Sequence, residues 1–257
     1  MADRRIDGSA GDADYGVIGR NYTVYRQPDP AIARQIHHAL GDARSVLNVG
    51  AGAGSYEPAD RDITAIEPSA SMRAQRPATL VPAIDGVAER LPFADRSFDA
   101  SMAIFSIHQW KNVGARLREM RRVTRGPIVL MSCLPERVEQ FWLASYAPRM
   151  AAIEASRYPK LDQLAAALGK VEVQTVSIPL HCTDGFNEAY YGRPERLLED
   201  GARLANSAWS FVDLSTSEAY VAHLRRDLAD GRWDAQYGHL RDQPAYEGAL
   251  HLFVSRG

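Results

Sequence analysis

Residues 45–57 read Ser-Val-Leu-Asn-Val-Gly-Ala-Gly-Ala-Gly-Ser-Tyr-Glu. A short apolar run, Val46 to Val49, passes directly into glycines at alternate positions, Gly50, Gly52 and Gly54. Such a run ended by turn residues is the pattern of a buried parallel strand. Glycine admits positive φ and lets the backbone approach a ligand with no Cβ in the way. A dinucleotide fingerprint needs G-x-G-x-x-G. Its last position here is Ser55, with Gly54 one place early, which speaks against a nicotinamide oxidoreductase.

Working outward, Asp29-Pro30 is an N-cap and first-turn pair. It predicts a helix to about Leu40, with Ile32, Ile36 and Leu40 on one face and Gly41 as its stop. Downstream, strand two runs from Ile63 to Ile66 and ends at Glu67-Pro68, before a helix from Ser69 to Gln75. Strand four is expected over Phe98–Phe105, delivering Ser106-Ile107-His108-Gln109-Trp110 at its carboxyl end. A helix follows from Asn112 to Arg122, facing the sheet with Val113, Leu117 and Met120. Then come strand five (Ile128–Ser132), a long amphipathic segment from Leu134 that includes Trp142, and a helix from Leu161 to Leu168 closed by Gly169. Strand six is expected over Val171–Leu180 and the last strand over Ala249–Val254. Alternating strands and helices predict an α/β protein with ligands bound outside the carboxyl ends of the strands.

The chain has 257 residues, 46% apolar and 24% charged, with a formal net charge of -2. This is an ordinary globular balance, long enough for one large α/β domain. Nucleic-acid binders are more often basic, so no nucleic-acid partner is expected. No apolar window approaches a membrane span, and residues 1–14 carry no apolar core of a signal peptide. Two cysteines, Cys133 and Cys182, offer neither a disulfide framework nor metal-ligand spacing. A cytoplasmic protein without a metal, monomeric or homodimeric, is expected. Residues 1–14 are expected to be a disordered tail.

Four features together carry a resemblance: the Gly50–Gly54 loop, Glu67 at the end of strand two, the segment Val-Ala-Glu-Arg-Leu-Pro-Phe-Ala-Asp-Arg-Ser-Phe-Asp (87–99), and strand four running into His108. Their order and intervals over Tyr22–Ser132 resemble the class I S-adenosylmethionine-dependent methyltransferases that act on small molecules, of the type 11 kind. The resemblance implies a Rossmann-like, seven-stranded, mostly parallel sheet with helices on both faces, and S-adenosylmethionine as cofactor. It implies that the backbone of Gly50, Ala51 and Gly52 and the side chains of Glu67 and Pro68 hold the cofactor, with Glu67 on the ribose. Ala88, Glu89 and Phe105 would complete the adenosine side.

Tyr22-x-x-x-Arg26 resembles an N-terminal cover over the cofactor, with Arg26 pairing the carboxylate of its methionine portion; the alternative is a surface arginine beside a packed tyrosine. Two positions depart from the family pattern. Asn48 stands where an acid commonly holds the cofactor's amino end, and keeps hydrogen bonding without the charge. Val87 stands where an acid often meets the adenine amine.

His108 is either a general base or a residue that lines the pocket without proton transfer. Trp110 is either a pocket wall or core. Arg116, Arg118, Arg121, Arg122 and Arg125 cluster about one helix and are expected to form a solvated face.

Residues 181–247 make a long aromatic-rich insertion before the last strand. If strand six is parallel to strand four, His181, Cys182 and Asp184 emerge beside His108. Trp110, Trp142, His181, Tyr190 and Tyr191 are the candidate substrate residues. The insertion is either a lid over a ring-containing substrate or a helical element with its own core or a dimer interface. The division expected is 1–14 tail, 15–44 cover, 45–180 cofactor-binding core, 181–247 insertion and 248–257 last strand, within one domain.

The leading expectation is transfer of a methyl group to an N, O or C nucleophile of a small molecule, in the manner of natural-product tailoring. Alternatives are a non-catalytic S-adenosylmethionine binder, motivated by Asn48 and Val87, and a nucleic-acid methyltransferase. The last lacks the N/D-P-P-Y/F motif, since Phe105-Ser106-Ile107-His108 stands in its place.

Overall fold

A computed structural model describes residues 22–257; the expectation for the tail lies outside the described residues. The chain enters through α1 (Tyr22–Tyr25) and α2 (Pro30–Ala39). Asp29 caps α2 by accepting from the amides of Ala31 and Ile32, and Gly41 follows at φ 60°. Then come β1 (Ser45–Val49), β2 (Asp62–Ile66), α3 (Ala70–Ala74, capped by Ser69), β3 (Ala100–Ile104) and α4 (Val113–Val123, capped by Asn112). β4 (Ile128–Cys133) leads into α5 (Pro135–Val138), α6 (Leu143–Tyr146), α7 (Pro148–Arg157) and α8 (Leu161–Leu168). The remainder is β5 (Glu172–Thr175), β6 (Ile178–Pro179), α9 (Asp200–Leu204), α10 (Leu214–Ala229), α11 (Arg232–Tyr237), β7 (Ala245–Tyr246) and β8 (Leu250–Ser255).

The main sheet has six strands in the order β2-β1-β3-β4-β8-β5. β1 to β4 are parallel, and β8 lies antiparallel to both β4 and β5. A seventh position exists at the outer edge, where Ile84 bridges Ile66 in parallel. Pro82 has no N–H to give a ladder there, which holds the edge to one bridge. The Rossmann-like, mostly parallel sheet therefore stands, with one edge strand reduced to a contact.

Side chains alternate across the sheet as the pleat requires. Val46, Met102, Val129, Met131, Leu252 and Val254 join the core on one face with α2. Leu47, Val49, Ile128, Leu130 and Phe253 join the other core with α4 and α8.

Three expectations change. The strand predicted over Phe98–Phe105 is shorter: Phe98 only bridges Thr124, and Phe105 turns to φ 51°. The strand predicted over Val171–Leu180 splits. The last sheet bond is Val176 N–H to the Leu250 carbonyl, after which the Gln35 side chain takes both backbone groups of Ser177. The chain then leaves the sheet to pair β6 with β7 in a separate ribbon. Finally, the arginines about α4 are not simply a solvated face. Arg116 is 3% exposed, Arg121 donates to the Gly126 and Ser255 carbonyls, and Arg122 donates to Glu119, Asp95 and the carbonyls of Phe93 and Leu91. Long side chains with five donors close loops as readily as they meet water.

Candidate functional site

The carboxyl ends of β1, β2 and β3 open on one cleft. All three glycines of the loop after β1 have positive φ. At Gly50 a Cβ would stand 2.7 Å from that of Ser106, and at Gly54 one would stand 2.3 Å from Leu80. The loop is held to β2 by the amides of Gly50 and Ala51, both donating to the Ile66 carbonyl at 2.9 Å.

Glu67 follows β2 and is 7% exposed. Its Oε2 accepts from the Gly52 amide and its Oε1 from the Ser69 amide, both at 2.8 Å. Burial pushes its carboxyl above the usual range, and those two amides pull it back. Gly52, Pro68 and Ala51 line the cleft beside it.

Asn48 lines the cleft from β1, and its Nδ2 donates to Glu57 Oε1 at 2.9 Å. Glu57 is itself buried against Arg76 in a two-pronged ion pair of 2.8 and 3.1 Å. The amide nitrogen is thus committed inward, which leaves Oδ1 as the acceptor for the cleft. Glu57 and Arg76 escaped the sequence reading, although Glu57 closes the decisive stretch. The opposite wall is Val87, Ala88 and Glu89, with Glu89 paired to Arg116 and the Arg116 guanidinium 5.7 Å from the Trp110 ring. Trp110 lines this cleft and not the second cavity, and it also packs against the core on the α4 and α8 face.

Tyr22, Arg26 and Phe105 line the cleft and also a second cavity. The Arg26 guanidinium lies 4.7 Å from the Phe105 ring and forms a buried ion pair with Asp184. Tyr56 donates its hydroxyl to the same Asp184 at 2.8 Å. Asp184 holds the Arg26 guanidinium charged against its burial. An arginine expected to wait for a ligand carboxylate therefore has a protein carboxylate already. Sequence separation of 158 residues hid that partner.

The second cavity is apolar over much of its wall and carries His108, Glu154 and Glu188. His108 stands with its ring 5.4 Å from that of Tyr158. Glu154 Oε2 accepts from Asn187 Nδ2 at 2.8 Å, and Oε1 from the Tyr158 hydroxyl at 3.2 Å. Burial pushes its carboxyl up. Glu188 accepts from the amides of Ala249 and Leu250, and burial pushes it up to about 7. Glu154 was missed, yet a signal exists: it follows Met150 at i+4 on one face of α7, with Tyr158 just past the helix end.

Four substrate candidates fall elsewhere. Trp142, Tyr190 and Tyr191 are interior, each under 5% exposed. Trp142 Nε1 donates to the Tyr191 carbonyl, and Trp142 packs on Trp233. Burying these large rings in the core gains more than facing them to a ligand. His181 is exposed beside Asp29, Pro30 and Leu180. β5 does run in the direction of β4, but the turn after β6 carries His181 outward and brings Asp184 to the cleft instead.

Residues 47–127 match the family model described as a methyltransferase domain. A malonyl-[acyl-carrier protein] O-methyltransferase of Erwinia pyrifoliae is 27% identical over 168 residues, 62% of this chain and 64% of that relative. The chain thus spans less than two thirds of that curated relative's length. A solved chain from Anabaena variabilis, ascribed to an antibiotic biosynthesis pathway as a methyltransferase, superposes with a TM-score of 0.82 at 27% identity, over 90% of this chain and 98% of that one. A phosphoethanolamine N-methyltransferase of Haemonchus contortus, solved with S-adenosylhomocysteine, shares the fold at 14% identity and a TM-score of 0.53, over 94% of this chain and 56% of that one.

Proposed function

We propose, for a chain with the fold of the class I S-adenosylmethionine-dependent methyltransferases and a methyltransferase-domain match over residues 47–127, that it transfers a methyl group from S-adenosylmethionine to a small molecule. The observation that carries the reading is a donor-shaped cleft and an apolar cavity sharing one wall, Tyr22, Arg26 and Phe105. The cleft fits the cofactor. Gly50 has no room for a side chain against Ser106, so bare backbone lines the cleft there, and a buried carboxylate ends β2 beside it.

Glu67 would hold the ribose hydroxyls, since each of its oxygens has given only one acceptor position to the backbone. Asn48 Oδ1 would accept from the ammonium group, oriented by Glu57. Gly50, Ala51 and Gly52 would lie along the donor with nothing larger than a methyl group among them, and Ala88, Glu89 and Trp110 would flank the adenine. When bound, the cofactor supplies a methyl group already activated by its sulfonium. The protein's own residues therefore supply proximity, alignment and exclusion of water. Phe105, held in the left-handed region at the end of β3, sets the border between donor and acceptor. His108 lines the acceptor side.

A small-molecule acceptor is supported by the second cavity, walled in part by α7 and the insertion. The two buried, unbridged cysteines support a reducing compartment such as the cytoplasm. The test is calorimetric titration with S-adenosylmethionine, S-adenosylhomocysteine and NAD, followed by labelled methyl transfer to candidate acceptors. Binding of the first two without NAD is expected. NAD binding, or none of the three, overturns the reading.

A further inference from the structure

We propose that the second cavity takes an apolar amine whose ammonium group pairs with Glu154. The inference deepens the acceptor reading above and rests on it only for the step after binding.

Three observations meet at this carboxylate. First, its position: Glu154 lies deep in α7 yet keeps accessible surface, and the cavity it lines is bordered by Phe141, Phe186, Met150, Val138 and Leu143. An apolar body fits such walls. Second, its partners: Asn187 and the Tyr158 hydroxyl both donate to it, and both are neutral. They hold the group as an acceptor without cancelling its charge. Third, the charge around it: Arg26 already faces Asp184, and Glu188 is occupied by two backbone amides. Arg157 donates to Ser207 and lies over the Phe211 ring. Arg157 and Arg26 act on Glu154 from further off and favour its charged form, but among the described residues no lysine or arginine stands within ion-pair distance of it, and a buried carboxylate in that state gains most from a cation in contact.

After binding, the ammonium proton passes to the Glu154 carboxylate, because low dielectric favours the neutral pair over the ion pair. The freed nitrogen lone pair forms the bond to the methyl carbon while the methyl–sulfur bond breaks toward sulfur. The product leaves as an N-methylammonium ion, and the proton on Glu154 returns to solvent.

The test titrates the full chain, with and without S-adenosylhomocysteine, using four probes on one phenyl body: 2-phenylethylamine, 2-phenylethanol, propylbenzene and phenylacetate. The amine is expected to bind about tenfold or more tightly than the alcohol and the hydrocarbon, with phenylacetate weakest. Glu154→Gln should erase the amine's advantage and leave alcohol and hydrocarbon unchanged. Ala151→Phe, which fills the cavity, should weaken every probe. An amine no tighter than the hydrocarbon in the native protein overturns the proposal, as does a preference that survives Glu154→Gln. The S-adenosylhomocysteine dissociation constant is read in the same samples. If it alone fails while the amine preference stands, the donor reading falls and the amine site remains.

Discussion

Glu67 illustrates how much one side chain can be asked to do. It ties the glycine loop to α3 through two amides and still offers acceptor positions to the cleft. Replacing Glu67 by Ala should weaken S-adenosylmethionine binding by roughly 1.5–3 kcal/mol, the scale of a hydrogen bond to a charged group. An unchanged dissociation constant would sink the ribose assignment. Asn48 shows the reverse case, where the charge missing at position 48 is supplied by Glu57, nine residues on. An acid at 48 would face Glu57, 2.9 Å from the present amide nitrogen, and like charges at that distance are costly. The amide is the residue that fits beside Glu57 and Arg76.

Glu188 makes a separate prediction about pH. Its folded carboxyl is pushed up to about 7 from an ordinary 4.5. Between those values the folded protein holds a proton that the unfolded chain releases, so this contribution to stability is full below pH 4.5 and is lost as pH rises through 7. Glu188→Gln cannot titrate. Thermal unfolding of this variant should therefore fall less steeply than the native protein's over that range, even though one amide bond is lost. Parallel profiles would rule the assignment out.

At the scale of elements, the unit that matters is β1, its loop and the turn that follows β3. Gly50 sits at φ 71° with Ser106 against it, and Ser106 Oγ donates to the Val49 carbonyl. Gly50→Ala meets both a conformational and a steric cost. A loss of roughly 1–3 kcal/mol in unfolding free energy is expected, together with weaker S-adenosylhomocysteine binding. Denaturant titration matching the native protein would show that the loop has room to spare.

The strand, the loop and the helix starts were legible in the sequence because each is local, whereas the Ser106 contact on Gly50 was not. The apolar run, the glycine spacing and the caps at Asp29, Ser69 and Asn112 each act within a few residues. The course of residues 171–180 was not legible. Its alternation is that of a strand throughout, but Gln35, far away in sequence, takes the backbone of Ser177 and ends the sheet.

Across the whole molecule, Tyr190, Tyr191, Trp209 and Trp233 of the insertion belong to the interior of the face that carries α2. Trp233 is fully buried, 5.4 Å from Trp142 and 5.8 Å from Tyr237. Trp233→Ala should cost about 3–5 kcal/mol in stability. The protein that remains folded should bind S-adenosylhomocysteine as before. A variant of native stability would show that this cluster is not core.

The sequence by itself determined the alternation of strands and helices, the glycine cradle and the acid at the end of β2, since periodicity, backbone freedom and capping are properties of short stretches. Only the tertiary structure decided which aromatic rings face a cavity, that Arg26 is met by Asp184, and that Glu154 stands in the second cavity beside His108. Those are pairings across large sequence separations. They are settled by which surfaces the packed core leaves open, and no local pattern records that.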